Sequence, residues 1–209
     1  MNEIVMQHIP DLAMAGALAW GAGLRLYLVS FLFGAAGALD WWQLPEHLHV
    51  LQHPLVIGSA GLMALIEMFA DKLPWLDSVW DAMHTFFRIP AGAALAAAVF
   101  GDSGMAITAA AALLGGSLTA TTHFAKSGTR AAANTSPEPF SNLALSLTED
   151  VAVVGGTWLA TQYPTAFLIA LAIFLVLAVL VFRLLIRGAR RLVKRLGAAS
   201  EPPAGQAIG

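Results

Sequence analysis

Asp77-Ser-Val-Trp80-Asp81-Ala-Met-His84-Thr-Phe-Phe-Arg88-Ile-Pro90-Ala-Gly92 opens with four ionisable side chains and leads directly into the apolar, small-residue run ending near Phe100. Steps of three and four residues return to nearly the same direction on an α-helix, so residues 77, 81, 84 and 88 form one polar stripe. A stripe that continues straight into a lipid-compatible segment has two readings. Either it is a solvated face at the membrane surface, or it faces a protein interior or water-filled path. Trp75 and Trp80 beside it are residues typical of the membrane interface.

The same spacing recurs downstream. Pro74-x-x-Asp77-x-x-x-Asp81-x-x-His84 is answered by Pro139-x-x-Asn142-x-x-x-Ser146-x-x-Glu149. The match suggests a parallel internal repeat of two helical hairpins, with coincidence as the competing reading because short polar patterns are weak signals. Two such stripes facing one another would make a site.

Composition fixes the class. Hydrophobic residues make up 58% of the 209 and charged residues 11%, with a mean hydropathy of +0.72. That is too apolar for an ordinary soluble domain. The apolar runs predict an all-α polytopic transmembrane bundle of about six helices, near 11–38, 54–72, 78–100, 104–126, 141–162 and 164–188. Each suffices for a hydrocarbon core of about 30 Å at about 1.5 Å per residue. Residues 1–188 form the transmembrane domain, and 189–209 a basic amphipathic extension and disordered cytoplasmic tail suited to anionic headgroups. Cysteine is absent, which excludes disulfides and thiolate chemistry. No basic patch with interleaved aromatics suggests nucleic acid.

Ten of the eleven basic residues fall on one side of the six-helix arrangement: Lys72, Arg88, Lys126, Arg130 and the six from Arg183 to Arg195. The positive-inside rule then places both termini in the cytoplasm. Pro90, inside the third run, is expected to kink or restart that helix.

The intramembrane charges are the candidate site. Glu149 and Asp150 precede Val-Ala-Val-Val-Gly-Gly and sit deep in their helix, where ionised carboxylates need a cation, a proton or water. Glu67 lies near the end of the second run, before the Asp71-Lys72 turn. Arg25 is the one basic residue deep in an apolar run and follows Gly21-Ala-Gly23, where close packing or local unwinding is easy. Its expected partners are Glu149, Asp150 or Glu67, either as a functional counter-ion or as a pair that only fixes helix register. The ion-binding set is Arg25, Glu67, Asp71, Lys72, Asp77, Asp81, His84, Arg88, Asn142, Ser146, Glu149 and Asp150. Within it, Asp77, Asp81, His84 and Glu149 suit a hard or borderline divalent cation, and a coupling proton is the other candidate. His123, Lys126 and Arg130 share a face leading into Asn134 and Ser136, a cationic and hydroxyl-rich cluster fit for phosphate or carboxylate. Glu46, His47, His49 and His53 form a His-rich outer loop, more simply read as solvated than as a metal site.

The segments Glu67-Met-Phe-Ala-Asp71-Lys72-Leu-Pro74-Trp-Leu-Asp77-Ser-Val-Trp-Asp81-Ala-Met-His84-Thr and Asn134-Thr-Ser136-Pro137-Glu138-Pro139-Phe-Ser141-Asn142 resemble the bacterial membrane family catalogued as domain of unknown function 4126. The resemblance implies an integral membrane protein and brings no activity. The expected function is a small inner-membrane transporter or channel for an ion or small solute, embedded in the lipid bilayer and acting as a homo-oligomer. The alternatives are a scaffold binding partner proteins or anionic lipid through the basic tail, and a lipid-headgroup enzyme.

Overall fold

The computed structural model describes the backbone of residues 2–133 and 139–199, and side chains except those of residues 1–7, 74, 75, 77, 78, 134–139, 185, 188, 189 and 191–209. The described chain is helical: α1 Asn2–Ala38, a 3-10 segment Glu46–Gln52, α2 Pro54–Ala70, α3 Pro74–Val99, a short 3-10 turn Gly101–Ser103, α4 Met105–Ala133, α5 Pro139–Gln162 and α6 Pro164–Ala199. Five helices are long and apolar enough to cross a membrane, and a sixth span results if the 3-10 segment and α2, bent by 66°, are taken as one. The protein is a polytopic helical membrane bundle. Residues 1–171 form one compact unit and residues 172–209 another.

In the first unit, α1 is the central element and packs against α2, α3, α4 and α5. It can do so because it is apolar all round: Ala13, Ala17, Leu18, Ala19, Ala22, Val29 and Phe33 are fully buried, the pattern of a core helix rather than a surface one. The most extensive helix pair is α3 with α4, as their Ala- and Gly-rich runs lead one to expect. Gly92 of α3 lies so close to Thr119 of α4 that a Cβ there would overlap the Thr119 hydroxyl. α2 meets α3 only sparsely, and α4 meets α5 likewise.

Polarity is inverted relative to a soluble protein. Arg88 is fully buried while its neighbours Phe86 and Phe87 are 81% and 64% exposed. Leu55, Leu62, Phe69, Leu113, Leu114 and Val151 also lie outside. Apolar side chains facing outward around buried charges are what a hydrocarbon solvent selects.

Of the two places the sequence offers for a helix break, Pro90 and the Gly21–Gly23 stretch before Arg25, the break falls at the second. α3 runs from Pro74 to Val99 with Pro90 inside it, whereas α1 is interrupted at Arg25, whose φ of −147° and ψ of 76° are not helical. A Cβ on Gly21 would sit 2.8 Å from Cγ2 of Val29. Those residues lie about 12 Å apart along a straight helix, so α1 bends sharply and its two halves touch. Gly23 supplies the clearance: a Cβ there would come within 2.6 Å of the Thr119 carbonyl oxygen and 2.7 Å of Thr122 Cβ. The unwinding thus occurs where α4 presses closest.

Candidate functional site

The break in α1 turns Arg25 into the bundle, where it is 1% exposed. One guanidinium nitrogen, Nη1, pairs with Asp71 of α2. Nη2 donates to the Ser146 hydroxyl at 2.9 Å and to the Ser146 carbonyl at 3.3 Å. Nε lies 3.0 Å from Asp150 and 3.6 Å from Glu149. Two of the three expected partners, Glu149 and Asp150, are therefore present. The third, Glu67, pairs instead with Arg88, and Arg25 takes Asp71 in its place.

Lys126 of α4 is the hub. Its ammonium donates to the Leu24 carbonyl at 3.0 Å, next to the break in α1. Around it stand four carboxylates: Glu149 at 3.4 Å, Asp81 at 3.7 Å, Asp71 at 3.9 Å and Glu67 at 4.0 Å. Helix interruption normally strands backbone carbonyls in a medium that offers no water, and here a buried cation covers one of them. One turn further along α4, Arg130 holds Glu149 through two parallel bonds, Nε to Oε1 at 3.1 Å and Nη2 to Oε2 at 2.8 Å, and reaches Asp71 at 3.1 Å. The fork geometry suits a guanidinium and could not be reproduced by lysine.

The α3 stripe joins this network from the other side. Arg88 bridges Glu67 and Asp81, the latter at 2.8 Å, and donates to His123 Nδ1 at 3.2 Å. The His123 state follows from its partners. Arg88 has no acceptor, so Nδ1 receives the bond. Thr85 donates its hydroxyl to the Asp81 carbonyl at 2.8 Å, so its oxygen receives Nε2–H at 2.7 Å. His123 is thereby a neutral imidazole carrying its proton on Nε2.

The two polar stripes do enter one buried site, but through intermediaries. Asp81, His84 and Arg88 of α3 and Asn142, Ser146 and Glu149 of α5 are all buried. Lys126 spans from Asp81 to Glu149, while Arg25 and Arg130 connect α5 to Asp71. His84 stands apart from the charges: its Nδ1 donates to the Trp80 carbonyl at 2.8 Å, and its ring stacks on Trp80 with centroids 4.1 Å apart. Lys72 is also outside, exposed, with its ammonium over the Phe69 ring. The side chain of Asp77, together with Asn134 and Ser136, lies outside the described residues. Among the described residues no group of three His, Asp or Glu side chains is arranged to hold a metal ion, and Asp81 and Glu149 of the expected set face cations of the protein itself. The cluster expected to bind an anion is engaged in the same way: Lys126 and Arg130 face carboxylates, and His123 accepts from Arg88. In the His-rich loop, His47 meets Asp102 at 3.0 Å, His49 bonds the Leu44 carbonyl and His53 caps α2 through Leu55 N–H.

Sharing is the network's chief property. Asp71 serves Arg25, Arg130 and Lys126, and Glu149 serves Arg130, Lys126 and Arg25. Nearly every carboxylate thus has a second cation within 4 Å. Buried atoms left without a hydrogen-bond partner include Glu67 Oε2 and Asp71 Oδ1, which is costly in a low-dielectric interior. Thr85, Thr119 and the Leu24 carbonyl were not singled out by sequence reasoning. The one available signal for the α2–α4 connection was the shared four-residue step of Glu67 and Asp71 on one helix and Lys126 and Arg130 on the other, with opposite charge.

No curated protein and no solved structure matches the chain. The network residues Arg25, Glu67, Asp71, Asp81, Arg88, Lys126, Arg130, Glu149 and Asp150 all fall within residues 12–184, the stretch matched by the family model described as Domain of unknown function (DUF4126), and the chain belongs to that family.

Proposed function

We propose that the protein is a small transporter or channel of the bacterial inner membrane for an ion or small solute, with both termini cytoplasmic. The observation that carries this reading is the break in α1 at Arg25, set within a buried network that joins α1 to α5. Interrupted helices whose freed backbone groups meet charges at membrane depth are the usual construction of a transport site. Intramembrane ionisable residues are costly, and a purely structural bundle has cheaper apolar ways to fix its register. The shared carboxylates add a means of switching. Neutralising one acid frees a cation that already has another acid within reach, so helices can change partners without stranding a charge. Lys72 and the basic residues from Arg183 onward support the cytoplasmic placement of the termini.

The test is gradient-driven flux in reconstituted vesicles, screened with indicators for protons, monovalent and divalent cations and small anions. Wild-type protein should carry one of these, and Arg25→Gln should reduce it at least tenfold while retaining helical circular dichroism. Folded wild-type protein that conducts none of them under either sign of gradient would overturn the reading. A second reading, a scaffold on anionic lipid, is supported by α6 staying helical through its basic end to Ala199. Truncation after Arg187 should leave flux intact if the first reading is right, whereas a protein without flux whose binding to anionic-lipid vesicles is lost on that truncation would favour the second.

A further inference from the structure

We infer that the Lys126 ammonium is the built-in occupant of a monovalent-cation site at the break in α1, a site that takes a small primary ammonium ion once that side chain is removed. The consequence for coupling rests on the transport reading: the cycle needs no external metal cation at this position.

The oxygen shell is the first ground. Lys126 is fully buried, and its one short bond runs to the Leu24 carbonyl at 3.0 Å, immediately before the non-helical Arg25. Around the same nitrogen stand oxygens of Glu149 at 3.4 Å, Asp81 at 3.7 Å, Asp71 at 3.9 Å and Glu67 at 4.0 Å. A backbone carbonyl beside an interrupted helix, with acids around it, is an arrangement by which membrane transporters hold a cation. Here the cation is tethered to α4.

Distance decides which cations the shell suits. Magnesium needs oxygens at about 2.0–2.1 Å and calcium at about 2.3–2.6 Å from several sides, so for a metal ion at this position all four carboxylates would have to move inward. An ammonium is a compact charge with three rotatable donors, able to bond one oxygen near 2.9 Å and attract the others without touching them. Glu67 and Asp71 are 0% exposed, and among the described residues each keeps one oxygen without a hydrogen-bond partner. Their carboxyl groups therefore have acceptor capacity left for a donor cation beside them.

Other bonds hold the shell when Lys126 is absent. Arg88 pairs with Glu67 and Asp81, Arg25 with Asp71, and Arg130 with both Asp71 and Glu149. Leu24 is fixed through its neighbour Gly23, which lies against Thr119 and Thr122 of α4. The oxygens keep their places while one of their cations is missing.

The test deletes the side chain and supplies it again. Lys126→Ala removes everything beyond Cβ, and the missing piece is n-propylammonium. The full-length protein is purified in detergent and melted in choline chloride at constant ionic strength, with n-propylammonium, ammonium, magnesium, calcium or neutral 1-propanol added. Lys126→Ala should melt well below wild type, and n-propylammonium should restore at least half of the loss in a saturable way, as binding to the folded state requires. Ammonium should restore less, and 1-propanol, magnesium and calcium nothing. Lys126→Met fills the space without the charge, so it should melt low and ignore every amine, and wild type should ignore them because its site is full. If Lys126→Ala does not fold in choline chloride, purification with n-propylammonium throughout should recover it and purification with 1-propanol should not. Failure of the amine in both forms of the test, equal rescue by 1-propanol, or a saturable response of wild type overturns the site. Rescue by magnesium or calcium in preference to the amine overturns its assigned class. In reconstituted vesicles, wild-type flux should continue when choline replaces sodium and potassium, and flux that stops there overturns the coupling consequence. Amine rescue in a protein that conducts nothing would keep the cation site and remove the transport reading, and flux without amine rescue would do the reverse.

Discussion

Helices α1, α3 and α4 pack together twice, by two different physical means. In one region, around Gly92, Ala96, Gly115 and Thr119, they meet through small residues with almost no charge, and Thr119 donates to the Ala19 carbonyl at 2.8 Å. In the other, around Arg25, Arg88 and Lys126, the same helices are held by long ionic side chains that also draw in α2 and α5. The small-residue region gains from close approach, and each contact there has one geometry. The charged region tolerates wider gaps, and most of its carboxylates have more than one cation to choose. A membrane protein that must stay assembled while part of it rearranges needs both kinds of contact. The difference sets contacts of a single geometry, at the Gly92 level, against contacts with alternative partners, at the Arg25 level, and on the transport reading the second set is the one that rearranges.

The most severe way to break that comparison is to strand a buried charge. Arg88→Met leaves Glu67 and Asp81 facing one another across a gap with only Lys126 between them. Removing one member of a buried ion pair costs about 3–5 kcal/mol, so the melting temperature in detergent should fall strongly. Arg88→Met combined with Glu67→Leu should recover part of the loss, because the second change removes the stranded charge. A double variant no better than the single one would show that Arg88 acts by packing alone, and the distinction between the two regions would fail.

The architecture was largely legible in the sequence because a bilayer imposes it: apolar runs of sufficient length, set apart by proline and polar breaks, became helices, although α1 begins at Asn2 and α4 runs on to Ala133, well beyond the apolar runs that marked them. The position of the break was half legible. Pro90 removes one backbone donor, a loss that a membrane helix accommodates, and α3 continues past it. Gly23 marks the true site because it lets α4 come close beside Arg25, and Gly21 because it leaves room for Val29 where α1 bends. The pairing was the least legible part. Arginine and lysine side chains reach across gaps between helices that scarcely pack, so their partners depend on tertiary placement. Arg25 took Asp71 in preference to Glu67 for this reason, and Lys126 found four acids where an external anion had been the expectation. The orientation argument changes too. Arg88, Lys126 and Arg130 face carboxylates inside the bundle, and among the described residues the exposed basic side chains are Lys72, Arg183, Arg187 and Arg190.

A milder variant probes the close-packed region. Gly92→Ala forces a methyl group into the Thr119 hydroxyl, and overpacking of this kind costs about 1–3 kcal/mol. Adding Thr119→Ala, which removes the overlapping hydroxyl and gives up its bond to the Ala19 carbonyl, should relieve part of that cost. Flux through the reconstituted protein should survive both changes, since neither alters a charge. If Gly92→Ala abolishes flux in a protein that stays folded, the two regions are one mechanical unit and the division between them is wrong.

The smallest effect belongs to an acid and base pair outside both regions. His47 and Asp102 lie 3.0 Å apart with side chains 50% and 75% exposed. Their geometry resembles that of the buried pairs, yet water solvates each partner when the other is removed. Exposed pairs of this sort contribute about 0.2–1 kcal/mol, so Asp102→Asn should lower the melting temperature by a degree or two at most. Raising the salt concentration should erase even that, because surface charges are screened within roughly 10 Å at 0.1 M ionic strength. The buried network should hardly respond to the same salt. A salt-insensitive loss at Asp102 as large as that at Arg88 would mean that burial is not what separates the two sets of pairs.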